Sequence, residues 1–135
     1  MSRRARTERQ EVPEEIEATA TDVVHSAFEV HRQLGPGLVE RVYQRALIHE
    51  LNLRGRRVQL EVPITVCYKG LQIEGQRLDL LVEPGVVVEL KSVEQLLAVH
   101  KRQLVSYLRS SGHRLGFLIN FNTMLIRDGI KRVVN

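Results

Sequence analysis

The segment from Gly75 to Lys91 constrains this chain more than any other. It reads Leu80-Leu81-Val82, a Glu83-Pro84-Gly85 turn and Val86-Val87-Val88, two continuous apolar runs hinged on turn residues. Runs of that kind belong to strands covered on both faces. A three-residue loop, with Gly85 supplying a left-handed conformation, sets Val82 opposite Val86 and, by continuation, Asp79 opposite Glu89. Strand alternation then puts Lys91 on the face of Glu89.

Two directly opposed carboxylates have Cβ atoms about 5 Å apart and destabilise each other. A hard cation between them is the simplest remedy, and Mg²⁺ or Mn²⁺ fits best. Two such ligands beside a fixed ammonium are the equipment for hydrolysing a phosphodiester. The same register sets Arg77 opposite Lys91, so Arg77, Asp79, Glu89 and Lys91 also read as a diagonal salt-bridge patch on a solvated sheet face. The apolar runs on either side weigh against that patch, because charges embedded in such strands need a reason.

The chain has 135 residues, 43% of them hydrophobic, enough for one core and too few for a second domain. Residues 13–135 are expected to form that domain, and residues 1–12, charged and without apolar periodicity, a disordered basic tail. No apolar run approaches the roughly 20 residues that cross a bilayer, and no signal-peptide region opens the chain. A soluble cytoplasmic protein without a membrane partner is expected. The single cysteine, Cys67, excludes an intrachain disulfide and multi-cysteine metal sites, and its apolar strand suggests an inert core residue. Net charge +4 and a pI near 9.6 favour a polyanionic partner. The excess gathers at Arg3, Arg4, Arg6 and Arg9 and at Arg54, Arg56 and Arg57, clusters able to touch phosphates without reading sequence; such a tail can equally be only solubilising.

Apolar periodicity predicts a helix from Pro13 to Leu34, stopped by Gly35-Pro36-Gly37, and a second from about Leu38 to Arg54 with Gly55 as terminator. The period then changes to two from Val58 to Tyr68, followed by a Lys69-Gly70 turn, and the hairpin strands run from near Leu71 to near Lys91. Ser92-Val93-Glu94-Gln95 matches a capping box, predicting a third helix directly after Lys91 that ends at Gly112. Gly116 to Phe121 reads as a buried strand and Ile130 to Val134 as a short edge. The order ααβββαββ implies an α/β sandwich with a mixed sheet.

Other residues could join the carboxylates. On the third helix His100, Gln103 and Tyr107 share a face, where amide and phenol could hold a phosphate or orient Lys91; an ordinary amphipathic boundary gives the same spacing. Glu40 opens the second helix, where the helix dipole alone favours an acid. It shares a face with Tyr43 and Leu47 of the apolar stripe, which turns it toward the core margin as a third carboxylate. There is no HExxH pair, nucleophile elbow, P-loop or dinucleotide-binding turn.

Gly75-xxx-Asp79, Glu89-Leu90-Lys91 and Gln103-xxx-Tyr107, in this order and on these elements, resemble the PD-(D/E)XK nuclease superfamily, particularly its RecB-like branch. Gly37-xx-Glu40-xx-Tyr43 resembles the signature of the small GxxExxY proteins placed within it. The resemblance spans about Val23 to Asn135. It implies a restriction-endonuclease-like αβββαβ core, a mixed central sheet flanked by helices, with an added N-terminal helix. It implies a Mg²⁺- or Mn²⁺-dependent nuclease, with Asp79, Glu89 and Glu40 as metal ligands, Lys91 as the catalytic lysine and Gln103 with Tyr107 as the accessory pair. Tyr43 and His100 stand beside these as substrate-side residues. Nucleic acid is the expected partner, DNA ahead of RNA. The Pro that often precedes the first Asp is Leu78 here, and helicase motifs are absent. The rival functions are a catalytically silent nucleic-acid-binding module and a protein-interaction scaffold on the same fold.

Overall fold

The computed structural model describes residues 11–135. Two helices, α1 (Glu14–Leu34) and α2 (Glu40–Leu53), precede strands β1 (Val58–Tyr68), β2 (Leu71–Val82) and β3 (Val86–Lys91). Helix α3 (Ala98–Ser111), strand β4 (Leu115–Asn120), the short α4 (Ile126–Gly129) and strand β5 (Ile130–Val134) complete the chain. The five strands form one sheet in sequence order. Neighbours are antiparallel except β3 and β4, which run parallel. That single parallel pair requires a crossover, and α3 supplies it.

Each sheet face carries its own apolar layer. Leu80, Val82, Val86, Val88, Leu90, Phe117 and Ile119 pack against Ala20, Val23 and Ala27 of α1 and Tyr43, Leu47 and Leu51 of α2. Leu81, Val87 and Leu118 pack against Leu104, Tyr107 and Leu108 of α3, joined by Ile64 and Leu78. This two-sided burial is what the continuous apolar runs require. No helix among the described residues is long and apolar enough to cross a membrane.

The β2–β3 register is the expected one, Val82 opposite Val86 and Leu80 opposite Val88. The turn is built differently: the Glu83–Pro84 peptide is cis, and Gly85 is not among the glycines with positive φ. Gly85 is buried where an added Cβ would stand 3.3 Å from Ile16 and 3.5 Å from His113. Positive φ falls instead on Lys69 (47°) and Gly70 (84°) at the β1–β2 turn, the pairing that a two-residue hairpin needs, and on Gly75 (119°). At Gly75 the pairing slips, from Ile64 opposite Gln76 to Val66 opposite Ile73, so β2 bulges by one residue.

Two further expectations are corrected, the start of the third helix and the place of Cys67. The third helix does not follow Lys91 directly, because the Ser92 side chain and the Val93 backbone are engaged elsewhere. Ser92 Oγ donates to Leu38 O (2.6 Å), and the Asn120 side chain takes both the N–H and the C=O of Val93 (3.1 and 2.9 Å). The helix waits until Ala98, where His100 Nδ1 accepts from the Leu97 N–H (3.0 Å). Cys67 is exposed rather than in the core. Val12 packs on the core and Glu11 O accepts from Arg114 (2.8 Å); Arg3, Arg4, Arg6 and Arg9 lie outside the described residues. Of the second arginine cluster, Arg56 is held by Asp22 (2.7 Å) and Thr19 (3.0 Å) and Arg54 by Glu50 (3.2 Å).

Candidate active site

Just past Leu80 and Val88 the β2–β3 ladder stops, and the two carboxylates take over its hydrogen bonds. The Asp79 N–H donates to Glu89 Oε1 (3.0 Å), and the Leu90 N–H donates to Asp79 Oδ2 (3.0 Å). Each acid therefore caps the other strand, one oxygen apiece. Opposite it, β1 bends away at Glu61, whose φ is 52°. Arg77 leaves with β2, pairing with Pro63 in register and reaching Glu61 at 4.0 Å. The diagonal salt-bridge patch is thus not formed.

Glu89 is only 4% exposed. Burial, and next the charge of Asp79, push its carboxyl up to about 8, and a hydrogen bond with the Asp79 carboxyl adds to the rise. The Asp79 amide and Lys91 oppose these effects without cancelling them. Two acids in a low-dielectric pocket cannot both ionise cheaply, so without a cation Glu89 favours its protonated form.

Glu40 reaches the same cleft from the other helix layer. It stands exposed at the start of α2, yet desolvation and then the Asp79 charge raise its pKa, with Lys91 pulling the other way. The Ser92–Leu38 hydrogen bond fastens the end of β3 to the loop before α2. Tyr43 secures that loop from within: fully buried, it stacks on Phe121 with centroids 4.7 Å apart, donates to Gly35 O (2.5 Å) and accepts from the Leu38 N–H (3.1 Å). Its hydroxyl is engaged by the loop backbone that leads into Glu40.

From α3, Gln103 Nε2 donates to Tyr107 Oη (2.7 Å), which donates onward to Gln76 Oε1 (2.9 Å). Burial and then the Glu89 charge raise the Tyr107 pKa, with Asp79 contributing in the same direction; the phenol therefore stays a donor beside the acids. Gln76 escaped the sequence reading. Its only signal is its place between Gly75 and Asp79, and the bulge at Gly75 is what directs it toward α3. His100 caps α3 and borders a shallow cavity of about 460 Å³ with Val99, Arg102, Gln103 and Ser106.

Asp79, Glu89, Lys91, Glu40, Gln103 and Tyr107 thus converge at one end of the sheet. Among the described residues no three His, Cys, Asp or Glu side chains are drawn to metal-ligating spacing; the Asp79–Glu89 pair is closed, and Glu40 stands off at the lip. The donor set nevertheless suits a hard dication: all oxygen, two adjacent acids, and a third within electrostatic reach. A larger cavity, about 660 Å³, lies over the outer face of α1. It holds none of these groups.

This arrangement defines a class, an α/β domain with paired carboxylates and a lysine at a split strand pair. A family model of the PD-(D/E)XK nuclease superfamily matches residues 17–133, and the chain belongs to that superfamily with a restriction-endonuclease-like fold. No curated protein and no solved structure matches it significantly.

Proposed function

We propose that the chain is a divalent-metal-dependent nuclease that hydrolyses phosphodiester bonds, DNA ahead of RNA. The observation that carries this is the reciprocal pair of carboxylate–amide hydrogen bonds at Asp79 and Glu89, beside Lys91. Asp79 and Glu89 would hold Mg²⁺ or Mn²⁺ through the oxygens not tied to backbone, with Glu40 as the third carboxylate. The ion, when bound, supplies Lewis acidity and a lowered water pKa. The chain's own groups do the rest. The two backbone amides fix the orientation of the acids before substrate arrives. Lys91 sets a cation where negative charge grows in the transition state and offers N–H donors to the attacking water. Tyr107, held by Gln103 and Gln76, sets a neutral phenol within electrostatic reach of the acids. The Gly37-Glu40-Tyr43 segment supports placing the chain with the GxxExxY proteins.

The test compares wild type with Lys91→Ala on single- and double-stranded DNA and on RNA, with Mg²⁺, with Mn²⁺ and with chelator. Metal-dependent cleavage lost in Lys91→Ala is expected. Wild type that binds nucleic acid with a steep salt dependence but cuts none under any condition would make the chain a binding module instead.

A further inference from the structure

The outer half of the β1–β2 ribbon carries an apolar face that no other element covers among the described residues. Val66 pairs with Ile73 and Tyr68 with Leu71, and residues paired or two apart share a face. The same face nearer the sheet bears Ile64 and Leu78, which α3 covers, and Gln76, which bonds Tyr107. Beyond Gln76 the cover ends: Tyr68 and Leu71 are each 60% exposed, and Ile73 43%. At the tip the Lys69 ammonium lies 5.5 Å from the Tyr68 ring centroid.

Resting on the nuclease reading, we propose that this ribbon end is a second nucleic-acid contact, with Tyr68, Leu71 and Ile73 lying against bases and Lys69 against the backbone while the acids hold the scissile phosphate. Three observations select this occupant. The strand that carries the tip also carries Asp79, so the contact continues the cleft. An aromatic face, an aliphatic wedge and a lysine on one turn are the groups that stack on, or slip between, bases of a polyanion. A second copy adding its strand to the β1 edge would meet Pro63, which has no N–H, and the irregular backbone at Glu61. The eight residue steps from Leu71 to Asp79 span about 26 Å at ~3.3 Å each. The tip should therefore touch bases about seven or eight positions from the cut, at ~3.4 Å per nucleotide.

Full-length Lys91→Ala, which cannot cut, is titrated by anisotropy with labelled oligonucleotides and with a set carrying 2-aminopurine at successive positions. Adding Tyr68→Ala and Leu71→Ala together should weaken binding about tenfold and erase the fluorescence change at the distal positions. Tyr68→Phe should keep both, and Lys69→Gln should lower the salt slope by about one. Affinity unchanged within twofold, with the distal signal intact, overturns the proposal. So does a wild-type dimer in sedimentation that the double substitution dissociates without altering affinity, because the ribbon then belongs to a second copy. These readouts need no cleavage. Loss of binding in the tip variants with no cutting by wild type would retire the nuclease while sustaining the contact, and cutting with an indifferent tip would do the reverse.

Discussion

The sheet's two faces are covered by unequal means. One lies under two helices and an almost wholly apolar layer, with Tyr43, Leu47 and Leu51 fully buried. The other has α3 alone, and there the layer gives way to Glu89, Lys91, Gln103 and Tyr107 at the end where β2 and β3 part. Burying a charge without compensation costs several kcal/mol. The charged and polar groups gather on the lightly covered side, where Lys91 is half-buried and Glu89 itself stays buried. The apolar core and the candidate site thus lie on opposite sides of one strand, since Val88 and Leu90 point into the first layer while Glu89 between them points out of it.

The sharpest way to break this division is a pair of substitutions. Asp79→Asn should lower metal-dependent cleavage by about a thousandfold or more, on the scale at which transition-state charge stabilisation operates, with denaturation midpoints nearly unmoved. Leu47→Ala should do the opposite, costing about 2–5 kcal/mol in urea unfolding while the folded fraction still cuts. A large stability loss in Asp79→Asn would show that the site face also carries the fold.

The next effect concerns pH. The Glu89 carboxyl sits at about 8 in the folded chain against an ordinary value of 4.5, so between those values the folded state binds the extra proton. Its contribution to stability is complete below about pH 4.5 and is lost as pH rises through 8. At ~1.4 kcal/mol per unit of difference, the metal-free chain should lose about 3–5 kcal/mol across that window in chemical denaturation. Glu89→Gln should flatten this slope, and saturating Mg²⁺ should reverse it, because a dication favours the ionised form. A slope that survives Glu89→Gln would move the titration to other groups.

Smaller effects should separate the accessory groups. Tyr107→Phe removes one hydroxyl that both Gln103 and Gln76 engage, which should cost about 1 kcal/mol of stability and about tenfold in rate. Glu40→Gln should weaken Mg²⁺ dependence several-fold and leave stability within about 0.5 kcal/mol, as befits an exposed helix start. A Glu40→Gln effect as large as that of Asp79→Asn would draw Glu40 into direct ligation.

The hairpin could be read from sequence because periodicity and like-charge opposition are local. Val82 against Val86 follows from turn length and brings Asp79 to Glu89 without further knowledge. What escaped depends on partners distant in sequence. The Ser92 hydroxyl is offered to Gln95 by local rules and taken by Leu38, 54 residues away, which moves the start of α3. Tyr43 has the spacing of a ligand-side residue, and only the fold reveals that Gly35 and Leu38 consume its hydroxyl. Cys67 sits on an apolar strand, and nothing in its neighbourhood tells that the strand projects beyond its cover. Gln76 became legible only with the bulge at Gly75.

The exchange of amides for carboxylates at the end of the β2–β3 ladder has an evolutionary corollary. A side-chain amide oxygen accepts an N–H as a carboxylate oxygen does, so Asp79→Asn and Glu89→Gln can keep both strand-to-strand bonds while abolishing affinity for a dication. Descent can therefore switch off the chemistry one atom at a time with the architecture left standing. In this chain both acids, Lys91 and the Gln103–Tyr107 pair are all present, and a single amide exchange at either acid would tell architecture from chemistry.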